Sequence, residues 1–141
     1  MRLIARLATD STAPSQARRF VALPCAELPP TALHAVLLLT TELVSNAVIH
    51  GAGQPRLDVR LEGERVVVGV TDIGEGEPVL GTGFDWPNGR NGLQLVQSLA
   101  DRWGTEPAAD GPGKRVWFEL ARAQADPPQE LLTQPLHGES A

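Results

Sequence analysis

The stretch Thr31 to Gly51, TALHAVLLLTTELVSNAVIHG, constrains this chain more than any other. It has neither glycine nor proline before Gly51 and reads as one long helix. At about 100° per residue, Leu33, Val36, Leu37, Leu43, Val44, Ala47 and Val48 fall on one side. Glu42 and Asn46, four residues apart, fall on the other, with Leu38, Leu39 and Ile49 around them. A carboxylate and an amide so placed can reach the same ligand; for this helix alone, a solvent-facing polar pair is the plainer reading. Thr31 after Pro29 and Pro30 is a start signal, and the helix is expected to stop at His50-Gly51-Ala52-Gly53, where glycine can take the left-handed conformation.

On either side of this helix the pattern changes period. Arg2 to Ala8 alternates and reads as a strand, with Leu3, Ala5 and Leu7 on one face. Asp10, Ser11, Thr12 and Pro14 form a helix start, and Ala17 to Leu23 reads as a short helix broken by Pro24. Arg56 to Glu62 and Arg65 to Asp72 are two strands joined by a tight turn at Gly63-Glu64. The glycine- and proline-rich segment from Ile73 to Asn91 is a long loop, Gly92 to Ala100 a helix, and Arg102 to Glu106 and Arg115 to Ala121 two more strands. Helices and hairpins are grouped rather than alternating. The fold class is therefore α+β: a two-layer sandwich, its sheet mixed and mostly antiparallel, with helices on one face. Residues 1–121 are expected to form the domain, and 122–141, rich in Gln, Pro and Ala, a disordered tail.

Composition narrows the function. A chain of 141 residues suits one domain, and a net charge of −5 argues against nucleic acid as the main partner. A lone cysteine, Cys25, excludes an intrachain disulfide and reads as a small residue of a loop or core. No apolar run approaches a membrane span and no signal-peptide core follows the start, so the expectation is a cytoplasmic protein without a membrane partner.

Two further features could carry chemistry. Asp72 ends a strand and is followed by Gly74 and Gly76; it could accept hydrogen bonds from an adenine amine while the glycines let backbone approach a flat base. A turn after an edge strand uses the same residues. Asn88 to Leu93, NGRNGL, opens onto a helix, where backbone N–H groups and Arg90 could hold phosphate; an ordinary glycine turn is the plainer alternative. Neither a Walker loop nor a Rossmann fingerprint is present.

Taken in order, ELVSNAVIHG, VTDIGEGEP, GRNGLQLV and GKRVWFEL resemble the GHKL superfamily of ATPases and kinases with the Bergerat ATP-binding fold, which includes gyrase B, the Hsp90 chaperones, histidine kinases and MutL. Within it the chain looks most like the anti-sigma-factor serine/threonine kinases, through Ala17-Arg18-Arg19-Phe20-Val21 and Val116 to Leu120. The resemblance implies ATP and Mg²⁺ as cofactors. It implies Glu42 as general base, Asn46 as the Mg²⁺ ligand beside the phosphates, and Asp72 as the adenine-binding acid. Gly74 and Gly76 would pack on the base; Gly89, Gly92 and Leu93, with Arg90 as a neighbour, would hold the phosphates. His50 matches a common position and is read as structural.

The same resemblance implies a protein kinase whose substrate is a STAS-type anti-anti-sigma protein and whose client is a sigma factor, and it allows a homodimer. A non-catalytic nucleotide-binding module that sequesters a partner is the alternative. A histidine-kinase fragment is disfavoured because no helices carrying a phosphoacceptor histidine precede the domain; a gyrase-like ATPase is disfavoured for lack of a transducer domain. One departure stands out: where the family has a small hydroxyl residue helping to bind the base, this chain is expected to carry Arg115.

Overall fold

The computed structural model describes residues 1–74, 99–109 and 111–122. In chain order the elements are β1 (Arg2–Arg6), α1 (Ala13–Ala22), α2 (Pro30–His50), β2 (Arg56–Glu62), β3 (Arg65–Asp72), β4 (Arg102–Pro107) and β5 (Lys114–Ala121). The strands form one sheet in the order β1-β2-β3-β5-β4, with every neighbouring pair antiparallel. The sequence predicted a mixed, mostly antiparallel sheet; among the described residues it is wholly antiparallel.

Side-chain alternation sorts the sheet into two faces. Leu57, Val59, Val66, Val68, Val70, Val116, Phe118 and Leu120 point toward the helices and are buried. Asp58, Gly69, Thr71, Arg115 and Trp117 lie on the other face. The β2–β3 turn has Gly63 at φ +55, a conformation that only glycine adopts without penalty. At the β1 edge, Arg2 faces Arg60 and Arg6 faces Arg56, a row of like charges that discourages pairing with a further strand.

Helix α2 packs on β3 and β5 with one side and on α1 with another. This explains why its apolar residues are not confined to one stripe: Val36, Leu43, Val44 and Ala47 are buried, and so are Ala35, Leu39 and Glu42 on the side that the sequence assigned to the polar pair. The expectation that no apolar run approaches a membrane span needs correction. By length and composition α2 is apolar enough to cross a membrane, with mean hydropathy 1.6. Its apolarity is that of a helix covered on two sides in a protein core.

The start of α1 and the end of α2 show how each helix is bounded. Helix α1 begins at Ala13, at the start signal of Asp10, Ser11, Thr12 and Pro14 and four residues ahead of the Ala17 bound: Asp10 Oδ1 accepts hydrogen bonds from the Thr12 N–H (2.9 Å) and hydroxyl (2.5 Å), and Pro14 sits in the first turn. Gly51 is not left-handed: its φ is −91 and ψ −164, and its N–H donates to Ala47 O at 2.9 Å. Gly53, at φ +75, takes the left-handed turn instead. Cys25 is buried, as the plain reading had it, and burial pushes its thiol up to about 11. The predicted helix at 92–100 and tail at 122–141 fall almost wholly outside the described residues.

Candidate functional site

The C-terminal half of α2 and the end of β3 converge. Glu42 is completely buried on α2, a position that charged residues almost never take without engaged groups around them. One turn on, the side-chain nitrogen and oxygen of Asn46 are sealed from solvent and have no hydrogen-bond partner among the described residues. An orphaned buried amide costs on the order of 1–3 kcal/mol, which makes an amide without a partner among the described residues a candidate for a ligand contact. A carboxamide offers one hard oxygen acceptor and one N–H₂ donor, which suits a divalent cation on one side and an anion on the other.

Asn46 lies about 7.5 Å along the helix axis from Gly51. Gly51 in turn abuts Asp72: a Cβ at Gly51 would fall 2.6 Å from Ala47 O and 2.7 Å from both Cγ and Oδ2 of Asp72. The contact is fixed by a backbone hydrogen bond from Ile73 N–H to Ala52 O at 3.0 Å. Asp72 is 3 % exposed and lies on the helix side of the sheet. Its Oδ1 accepts from the Gly74 N–H at 2.7 Å, and Gly74 itself packs against Ala52 and Gly51. Gly113, at φ +113, closes the other side; a Cβ there would run into the Asp72 carbonyl oxygen. Three glycines thus surround Asp72, Gly51 and Gly74 at its buried carboxylate and Gly113 at its backbone.

The sequence reading missed Lys114. It faces Asp72 across the β3–β5 ladder, and its Nζ lies 3.2 Å from Oδ1 and 3.4 Å from Oδ2. The signal was present: Val116, Phe118 and Leu120 set the inward parity of β5, and Lys114 shares it. Arg115, expected beside the base, has the opposite parity and lies on the far face of the sheet. There its Nε and Nη2 donate to Asp58 at 3.0 and 2.8 Å, and Nη1 donates to Glu106 at 3.1 Å. Burial disfavours the Arg115 charge, but the hydrogen bonds and attraction of Asp58 and Glu106 outweigh it and hold the guanidinium above its ordinary value. Arg115 therefore does not lie beside Asp72.

Of the residues singled out by sequence, the structure brings Asn46 and Glu42 onto one helix and Asp72 and Gly74 to its end. Gly76, Gly89, Arg90, Gly92 and Leu93 lie outside the described residues. Among the described residues no group of three His, Cys, Asp or Glu side chains gathers to hold a metal. His50 does not belong to such a group.

Comparison with known proteins agrees with this architecture. Residues 32–124 match the family described as "Histidine kinase-, DNA gyrase B-, and HSP90-like ATPase". No curated protein matches the sequence. The fold is similar to that of a solved structure of the RsbU and RsbW domains of Rv1364c from Mycobacterium tuberculosis, with a TM-score of 0.65 and 18% identity; the match covers 86% of this chain and 32% of that one. The chain thus spans about a third of that solved protein. A histidine kinase domain from a blue-light activated histidine kinase of Erythrobacter litoralis matches with a TM-score of 0.47 and 21% identity, over 79% of this chain and 60% of that one. With its antiparallel sheet, its buried helix α2 and two thirds of its length within the family match, the chain belongs to the histidine kinase-, DNA gyrase B- and HSP90-like ATPases.

Proposed function

We propose that the chain is an ATP-dependent serine/threonine kinase of the anti-sigma-factor type, acting on a STAS-type anti-anti-sigma protein and regulating a sigma factor. The observation that carries the nucleotide reading is the sealed carboxamide of Asn46, without a partner among the described residues and one turn from buried Glu42 on the helix that ends against Asp72. The donor chemistry fits Mg·ATP: Asn46 would supply an oxygen to Mg²⁺, Asp72 would accept from the adenine amino group, and Gly74 and Gly76 would lie against the base. Gly89, Arg90, Gly92 and Leu93 would contact phosphate. Bound Mg²⁺ would offset the charge of the phosphates.

In this reading Glu42 takes the hydroxyl proton of the substrate serine as its oxygen bonds to the γ-phosphorus and the bond to the ADP oxygen breaks. Burial of Glu42 suits that role, since it keeps water from competing for the phosphoryl group. The resemblance of Ala17-Arg18-Arg19-Phe20-Val21 and Val116 to Leu120 to anti-sigma kinases supports the finer assignment of substrate, and the RsbW domain of the solved neighbour is in keeping with it. The alternative, a non-catalytic sequestering module, drew its support from Arg115 beside the base; with Arg115 on the far face that support is gone.

Calorimetry of the full chain with Mg·ATP, followed by transfer from radiolabelled ATP to STAS-domain proteins, tests the proposal. Binding with transfer to serine is expected. Binding without transfer to any STAS protein favours the sequestering module, and no binding at all overturns both.

A further inference from the structure

The Lys114–Asp72 pair has a loosely held donor beside an underused acceptor. Asp72 Oδ1 already receives a short bond from the Gly74 N–H (2.7 Å) as well as Lys114, whereas Oδ2 has Lys114 at 3.4 Å. Charge-assisted N–H···O bonds usually run about 2.7–2.9 Å, so both Lys114 contacts are long. An ammonium has three donors and no acceptor. Lys114 can therefore keep one bond to Asp72 and direct another to a ligand, while Oδ2 accepts from that ligand. The missing Cβ at Gly51 leaves Oδ2 approachable, because that atom would sit 2.7 Å from it. The site thus presents an acceptor and a cationic donor side by side, 17 % and 3 % exposed at the Lys114 and Asp72 side chains.

Adenine carries the complementary pair on one edge: the exocyclic amino donor next to the ring-nitrogen acceptor N1. We infer that Lys114 is a base-reading residue, donating to adenine N1 while Asp72 accepts from the amino group. This rests on the reading of Asp72 as the adenine-binding acid. It adds a specificity determinant: a purine whose 1-position cannot accept leaves the ammonium without its ligand partner.

The test compares Mg·ATP with Mg·1-deaza-ATP, in which N1 is replaced by C–H, by calorimetry on the full chain and on Lys114→Met. In the native chain the replacement should weaken binding about ten- to a hundredfold, the range of a hydrogen bond to a charged group. In Lys114→Met both nucleotides should bind within about twofold of each other. Lys114→Gln, which keeps a neutral N–H donor, should show an intermediate penalty and serves if the methionine form does not fold. Equal affinities in the native chain, or the same penalty in native and variant forms, overturn the role of Lys114 and leave the nucleotide site standing. If neither nucleotide binds the native chain, the adenine reading falls and this inference with it.

Discussion

The Arg115 guanidinium lies directly over the Cα of Gly69: a Cβ at Gly69 would fall 2.5 Å from both Cζ and Nη2. Gly69 sits on central strand β3, where glycine is usually unfavourable. Its absence of a side chain here lets the guanidinium cross the strand to reach Asp58 on β2, with Glu106 of β4 on its other side. One side chain thereby ties three strands together on the face away from the helices.

Gly69→Ala should therefore destabilise the chain although alanine is the better strand residue. The displaced guanidinium would leave Asp58, 6 % exposed, short of its partner. Breaking a buried pair from one side costs about 3–5 kcal/mol, and partial displacement should cost about 1–3 kcal/mol. Urea unfolding checks this. In an Arg115→Ala background the same substitution should be close to neutral, because no guanidinium remains over Gly69 to displace; an undiminished cost there would show that the guanidinium is not the cause.

Gly51→Ala meets backbone rather than a flexible tip. Its Cβ would press on Ala47 O at 2.6 Å and on the Asp72 carboxylate at 2.7 Å. Loss of about 1–3 kcal/mol of stability is expected from the overpacking, read by urea unfolding. Nucleotide affinity should fall along with it, since Asp72 is the group pushed aside.

How much of this was legible from sequence depended on range. The β2–β3 hairpin was read with its bounds because alternation and Gly63 are both local signals. The approach of Gly51 to Asp72 was not, because a glycine after a helix looks the same whether it serves a left-handed cap or a close contact. The placement of Lys114 and Arg115 turned on which face of β5 each residue takes. That parity was readable from Val116, Phe118 and Leu120, but its meaning needed the non-local register with β3. The burial of Glu42 was hidden for a similar reason: whether a helix is covered on one side or two is decided by what packs on it, here α1 as well as the sheet.

Asp10 gives the acid limb of stability a local contribution. Hydrogen bonds from the Thr12 hydroxyl and then the Thr12 N–H hold its carboxyl below its ordinary value near 3.8. A carboxyl lowered by folding stabilises the native state above its unfolded value, and that contribution is lost as pH falls through the folded value. Thermal melts from neutral pH to below pH 3 should show a shallower acid-side decline for Asp10→Asn, which keeps an acceptor for Thr12 but does not titrate. An unchanged slope would rule out Asp10 as a contributor.

Cys25 should be inert in the folded chain. Burial raises its thiol from 9.0 to about 11, with only a small opposing pull from Arg122. The smaller thiolate fraction, together with loss of access, predicts labelling by a disulfide reagent at pH 8 at least about 100-fold slower than in denaturant. Labelling at the rate of a free thiol would mean that the loop between α1 and α2 opens readily.

Asn46 and Glu42 separate binding from chemistry, and stability distinguishes a functional amide from a structural one. A carboxamide with both polar atoms buried and no partner among the described residues is a burden on the folded state. Asn46→Ala should thus leave unfolding free energy unchanged or raise it by up to about 1–2 kcal/mol, while abolishing measurable Mg·ATP affinity; gain of stability with loss of function is the expected exchange at a binding site. A structural amide would give the reverse, a destabilised chain that still binds. Glu42→Gln keeps the shape of a fully buried side chain and removes its ability to take a proton. Binding of Mg·ATP should persist, with phosphoryl transfer to a cognate protein slowed about 10²- to 10⁴-fold, the usual weight of a general base. Retention of the full transfer rate would show that another group accepts the proton, even with Asn46 and Asp72 in the roles proposed for them.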